Sequence, residues 1–147
     1  MKKFYYFALV ALIGIAFSSC SLLGGDKAPS FQLSDLQGYW EENNTEHYVR
    51  FTTEKSDEAK YLYGYEWNLA DDVTEQDVLA EKPGNGWFKY WFETENGGLH
   101  EIHLMSNGGA EIPKNYIVTK LTDTQLEYYE KDKKSNKFYF TKIAKIN

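Results

Sequence analysis

The chain has 147 residues, a single cysteine, and 22 acidic against 16 basic side chains, a formal net charge of −6. One cysteine excludes a disulfide framework, so any fold must stand on packing. The acidic balance disfavours nucleic acid and anionic lipid headgroups as partners, since both require a basic surface.

The first element is MKKFYYFALVALIGIAFSSC. Lys2 and Lys3 form a positive start, Phe4 to Phe17 an apolar run, and Ser18 and Ser19 lead into Cys20. The run is shorter than the ~20 residues a spanning helix needs. Small residues ending directly in a cysteine resemble a bacterial lipoprotein signal. That resemblance implies removal of residues 1–19 and acylation of Cys20, which becomes the membrane anchor. Several acyl chains on one residue suffice for stable anchoring. Loss of two lysines and no acids leaves the mature chain with 14 basic and 22 acidic residues, a net charge near −8. Residues 20–30 read as a lipidated tether and residues 31–147 as one domain with one core. Ser21 beside the cysteine is compatible, by the same resemblance, with outer-membrane sorting within the cell envelope. The membrane face is left open.

From Gly38 onward, short β signals recur at intervals of about ten residues. In order they are GYWEE (38–42), HYVRFTTE (47–54), YLYGYEWNL (61–69), GWFKYWFET (86–94), LHEIHLM (99–105), NYIVTKL (115–121), QLEYYEK (125–131) and NKFYFTKIAK (136–145). Asn-Gly pairs and Thr-Asp-Thr supply the turns. Eight antiparallel strands joined by short turns predict an up-and-down meander, whose closure into a barrel removes exposed edges. A β-sandwich is the competing architecture. Between the third and fourth strands, Ala70–Gly84 lacks period-2 alternation. Thr74 stands as an N-cap with Asp77 three residues on, which predicts one or two helical turns ended by Pro83-Gly84. Asp71, Asp72, Glu75 and Asp77 lack the ligand alternation and mid-loop glycine of a calcium loop.

Gly38-Tyr39-Trp40, a G-x-W opening the first strand of a domain this size, is similar to the opening motif of lipocalins and their calycin-type relatives. The mature chain resembles the small lipocalin-like lipoproteins of Bacteroidota. The resemblance implies a tryptophan plugging the closed end of the barrel, with a basic residue of the last strand over it. Here Lys142 or Lys137 is available in place of an arginine. It also implies an interior that takes a small hydrophobic or amphipathic ligand.

Residues two apart on a strand share a face. Phe88, Tyr90 and Phe92 are expected inside, and Trp87, Lys89, Trp91 and Glu93 outside. A three-residue Asn96-Gly97-Gly98 loop pairs Phe92 with Ile102 and Tyr90 with Leu104, whereas a two-residue turn pairs Phe92 with Glu101 and Tyr90 with His103. Apolar matching favours the first, which sends Glu101 and His103 outward. At spacing three on a strand, His100 and His103 point to opposite sides and cannot share a metal. No G-x-S-x-G, Cys-His pair or phosphate-binding glycine loop is present, and no cofactor is implied. The chain is read as non-enzymatic.

Two function classes follow. In the first, the barrel binds a small ligand lined by Tyr63, Tyr65, Tyr90, Tyr116 and Tyr128; the same aromatics equally serve to plug it. In the second, Trp87, Trp91 and His103 form an outer patch that contacts a protein or glycan. The Ala70–Gly84 segment is expected to cover both tryptophans instead.

Overall fold

Eight antiparallel strands close on themselves in sequence order. In the computed structural model, which describes residues 30–105 and 110–145, they are β1 (Gly38–Glu42), β2 (His47–Lys55), β3 (Leu62–Asn68), β4 (Trp87–Glu93), β5 (Gly98–His103), β6 (Ile112–Leu121), β7 (Gln125–Glu130) and β8 (Lys133–Ile143). Each strand pairs with the next, and β8 returns to β1 through Trp40↔Lys142 and Glu42↔Phe140. The predicted meander is thus a closed barrel. The signal segment, Cys20 and the tether to residue 29 lie outside the described residues. Among those described, no helix is long and apolar enough to cross a membrane.

One end of the barrel is stoppered. A short helix, α1 (Leu33–Leu36), precedes β1, and Leu36 is fully buried. The Trp40 indole, also fully buried, donates from Nε1 to the Leu36 carbonyl at 2.7 Å. Lys142, not the exposed Lys137, lies over that ring with Nζ 5.0 Å from its centroid, and donates to the Asp35 carbonyl at 2.7 Å. Burial lowers the Lys142 pKa against the pull of Asp35 and Asp123. Phe31 stacks at a tilt on Phe92 from the same end. Above this stopper the interior is filled by Val49, Phe51, Phe88, Tyr90, Leu99, Val118, Leu126 and Phe140.

A second apolar layer lies outside the barrel. The predicted helix, α2 (Glu75–Ala80), begins with a capping box between Thr74 and Asp77 and is preceded by a 3-10 turn, Leu69–Asp71. Val78 on α2 packs with Tyr39, Tyr65, Trp67 and Trp87 against the outer wall. Trp87 donates from Nε1 to the Val78 carbonyl at 2.8 Å, and the Tyr65 hydroxyl donates to Glu75 Oε1 at 2.7 Å.

The register of β5 corrects the expected pairing. Glu93 pairs with Gly98 across a four-residue turn, so Phe92 faces Leu99, Tyr90 faces Glu101 and Phe88 faces His103. Gly97 makes that turn at φ +77°, where a side chain would strike the Val118 carbonyl. Leu99, Glu101 and His103 therefore point inward, while Ile102 is half-buried outside and Leu104 packs on the outer layer. Apolar matching misled because this interior is not wholly apolar: the charged groups of β5 find partners there.

Candidate functional site: a carboxylate–imidazole chain at the open end

Inward positions at the end away from α1 are polar. Parity aims Glu42 of β1, His47 of β2, Glu66 of β3, and Glu101 and His103 of β5 into the barrel, and their side chains join in one chain. Glu42 Oε2 lies 2.8 Å from His47 Nδ1, and His47 Nε2 lies 3.0 Å from Glu66 Oε2. Glu66 Oε1 lies 3.2 Å from His103 Nδ1, and His103 Nε2 lies 2.7 Å from Glu101 Oε2. The chain runs from half-buried groups at the rim to Glu101, which is 5% exposed. Phe88 stacks on the His103 ring at 5.1 Å.

Both nitrogens of each imidazole face a carboxylate oxygen. A neutral imidazole has one donor and one acceptor, so two ionised carboxylate neighbours are both satisfied only by the doubly protonated ring. Burial opposes that charge on His103, but hydrogen bonds and charges from Glu101 and Glu66 outweigh it and raise its pKa to about 9. His47 is raised in the same manner by Glu66 and Glu42 against burial. Glu66 sits between two imidazolium donors, which override its desolvation and hold it far below the ordinary carboxylate range. Glu101, deepest in the barrel, is pushed upward by burial despite His103.

Three of the five expected lining tyrosines are interior. Tyr90 is spent structurally: its hydroxyl donates to the Thr52 carbonyl at 2.7 Å, and burial raises its pKa to about 12. Tyr116 and Tyr128 are 7% and 6% exposed, with rings 4.7 Å apart, and continue into Phe138 and Phe140. Burial first, then the charges of Glu101 and Glu66, raises the pKa of both phenols. Tyr63 and Tyr65 correct the expectation, because the inward parity of β3 belongs to Leu62, Gly64 and Glu66. They stand on the outer face, Tyr63 edge-on to Trp87 at 5.9 Å.

The expected outer patch is not assembled. Trp87 is covered by α2 as anticipated and is 2% exposed. His103 is inside the barrel. Trp91 corrects the expectation of cover: it is 37% exposed, stacked on His100 at 5.2 Å with Lys60 Nζ 4.7 Å from its ring. It borders a shallow depression of about 440 Å3 with Glu93 and Asn96. A cleft of about 310 Å3 lies at the open rim, lined in part by His47, Glu66, Trp67, Asn68 and Asp71, so the chain reaches the surface there.

Among the described residues no three His, Cys, Asp or Glu side chains are placed to hold a metal. Charges tied to one another in this way form a fixed polar wall, suited to recognition. Glu42, His47, Glu66 and Glu101 were not singled out by sequence as a site. The available signal was the pair Glu101 and His103, two residues apart and hence on one face with Leu99. Compared with known proteins, the chain matches no family model, no curated protein and no solved structure.

Proposed function

We propose that this protein is a membrane-anchored lipoprotein of the cell envelope, sorted to the outer membrane, whose barrel takes a small amphipathic molecule at its open end. The observation that carries the reading is the polar chain from Glu42 to Glu101 within a barrel stoppered and packed at its other end. An interior built only for stability would be filled with apolar side chains. Placing five ionisable groups on the inner face costs free energy unless they are paired, and the pairing by itself is weak evidence of a gain in stability. Tyr116, Tyr128, Phe138 and Phe140 supply apolar walls beside the charges, the mixture an amphipathic ligand requires. The G-x-W motif with Lys142 over Trp40 supports the resemblance to lipocalin-like proteins. Cys20 and the apolar run before it support the anchor. Native mass spectrometry of the full chain purified from its own host should retain a small molecule that collisional heating releases. Repeated preparations carrying no such mass would count against the reading.

A second reading, contact with a protein or glycan through the outer wall, is favoured by the exposure of Trp91 alone. Its indole is already engaged by His100 and Lys60, so it offers less free aromatic surface than the interior does.

A further inference from the structure

We propose that the outer wall of β6 to β8 carries a second site, for a small planar aromatic anion, a ring bearing a carboxylate or a phosphate. This site is separate from the open end of the barrel and does not rest on the reading given to it. A cleft of about 420 Å3 lies on this wall, lined by Thr119, Glu127, Tyr129, Lys134, Lys137 and Tyr139. Its volume falls in the range of small-molecule sites.

The cleft originates in the strand register, which slips on both sides of it. Thr119 is one residue extra between Val118, which faces Tyr128, and Lys120, which faces Glu127. On β8, Lys134 to Asn136 intervene between Lys133 and Lys137, the partners of the adjacent residues Glu130 and Tyr129. Such bulges bend a strand and re-aim its side chains. Between the slips the pairing is regular: Glu127 faces Tyr139 and Tyr129 faces Lys137. All four lie on the outer face, because the alternate residues Leu126 and Tyr128 are buried inside. Tyr129 and Tyr139 are therefore diagonal neighbours, with Lys137 and Glu127 on the other diagonal.

The rings and the charges together name the occupant. Tyr139 is 45% exposed, and neither it nor Tyr129 stacks on another aromatic ring among the described residues, whereas Trp91 is stacked on His100. Elsewhere Lys82 and Lys89 are held by carboxylates, but Lys120, Lys134 and Lys137 have none within ion-pair distance among the described residues. These three lysines stand against Glu127, a net charge of +2. In the adjoining turn Lys131 offsets Asp132, and Lys133 is matched in register by the inward Glu130. Counting Glu41, which faces Thr141 across the β1–β8 seam, still leaves the wall positive. Residues 111–147 carry 8 basic and 5 acidic side chains, whereas residues 20–110 carry 6 and 17. An anion thus meets a complementary field here in a chain that is acidic elsewhere. The phenol rings offer flat faces to an aromatic body, and each ammonium is a point charge for a carboxylate or phosphate.

The test uses the full chain in zwitterionic lipid nanodiscs and equilibrium dialysis with 2-naphthoate, 2-naphthyl phosphate, 2-naphthylmethanol and acetate. The ring-bearing anions should bind at least about fivefold tighter than the alcohol or acetate. Lys134→Gln combined with Lys137→Gln should weaken them roughly fivefold and Tyr139→Ser roughly threefold, with the double lysine variant leaving the alcohol unchanged. Circular dichroism melts verify folding, and if the double variant does not fold, Tyr139→Ser decides. Binding of only one of the two anions, lost in the folded variants, names the anionic group and sustains the site. Equal binding of the alcohol would overturn the role of charge, and equal binding of acetate that of the rings. Anion affinity unchanged in the folded variants would place the probes elsewhere and overturn the site. Binding of none of the four overturns the inference and leaves the barrel reading to the retained mass in native spectra.

Discussion

His103 is hydrogen-bonded to Glu101 through Nε2 and lies in ion-pair range of Glu66 through Nδ1, and its protonation is linked to folding. Its folded pKa, about 9, lies above the value of about 6.5 in an unfolded chain. A group raised in this direction contributes its full stability below the unfolded pKa and loses it as pH rises through the folded one. Stability should therefore fall between about pH 6.5 and pH 9, by on the order of 2 kcal/mol from His103 with a further contribution from His47. Buried phenols titrate above this window and do not blur it. Glu66 acts in the opposite sense and matters only in acid: its stability is present above the ordinary glutamate range and is lost as pH falls toward its depressed pKa. Thermal melts at half-unit pH intervals check the claim. His103→Gln should be less stable than the parent at pH 6.5 and show a flatter decline above it. Parallel curves would mean that His103 is not charged in the folded barrel.

At the scale of the element, β3 decides how the interior is divided. Its inward residues are Leu62, Gly64 and Glu66, and Gly64 leaves room for the Phe88 ring. A Cβ at Gly64 would lie 2.3 Å from Phe88 Cε2 and 3.0 Å from the Arg50 carbonyl. Phe88 has nowhere to yield, being fully buried, edge-on to Phe51 at 5.7 Å and stacked on His103. Gly64→Ala should cost about 1–3 kcal/mol by overpacking, read as a lower urea midpoint. A midpoint equal to the parent's would show that Phe88 does not rest on Gly64. The same strand explains what was legible beforehand. Period-2 alternation and turn residues mark all eight strands, and Thr74 with Asp77 marks α2, because those signals are local. Tyr63 and Tyr65 deceive because the outer face of β3 is also buried, under α2, so apolar character no longer reports which side is in. On β5 a four-residue turn, not a three-residue one, sets the parity. Apolar matching then ranks the true register low because Glu101 and His103 are satisfied by each other and by Glu66, brought from β3. A site assembled from five residues on four strands leaves no contiguous motif to read.

Taken whole, the molecule has two unlike poles, and the chain enters at one of them. Phe31 and α1 sit at the stoppered end, where the Phe31 amide donates to the Thr94 carbonyl at 2.8 Å. The carboxylate–imidazole chain occupies the other end. In the proposed lipoprotein an anchor at Cys20 would join the barrel at Phe31 and hence at the stoppered end, opposite the carboxylate–imidazole chain. Anchoring and binding are then separable, which fixes the outcome of one substitution. Cys20→Ser removes the only thiol in the chain that lipid can modify. The protein should move from the membrane pellet to the supernatant after cell fractionation, while keeping the parent's melting temperature and the small molecule that the parent retains in native mass spectra. The chain is net acidic, which weakens attraction to anionic headgroups once the acyl chains are gone, and release should not require high salt. A variant that remains in the pellet through an alkaline carbonate wash would refute the anchor. A variant that is released but no longer carries that mass would show that anchor and binding end are coupled through the fold, against the separation of the poles.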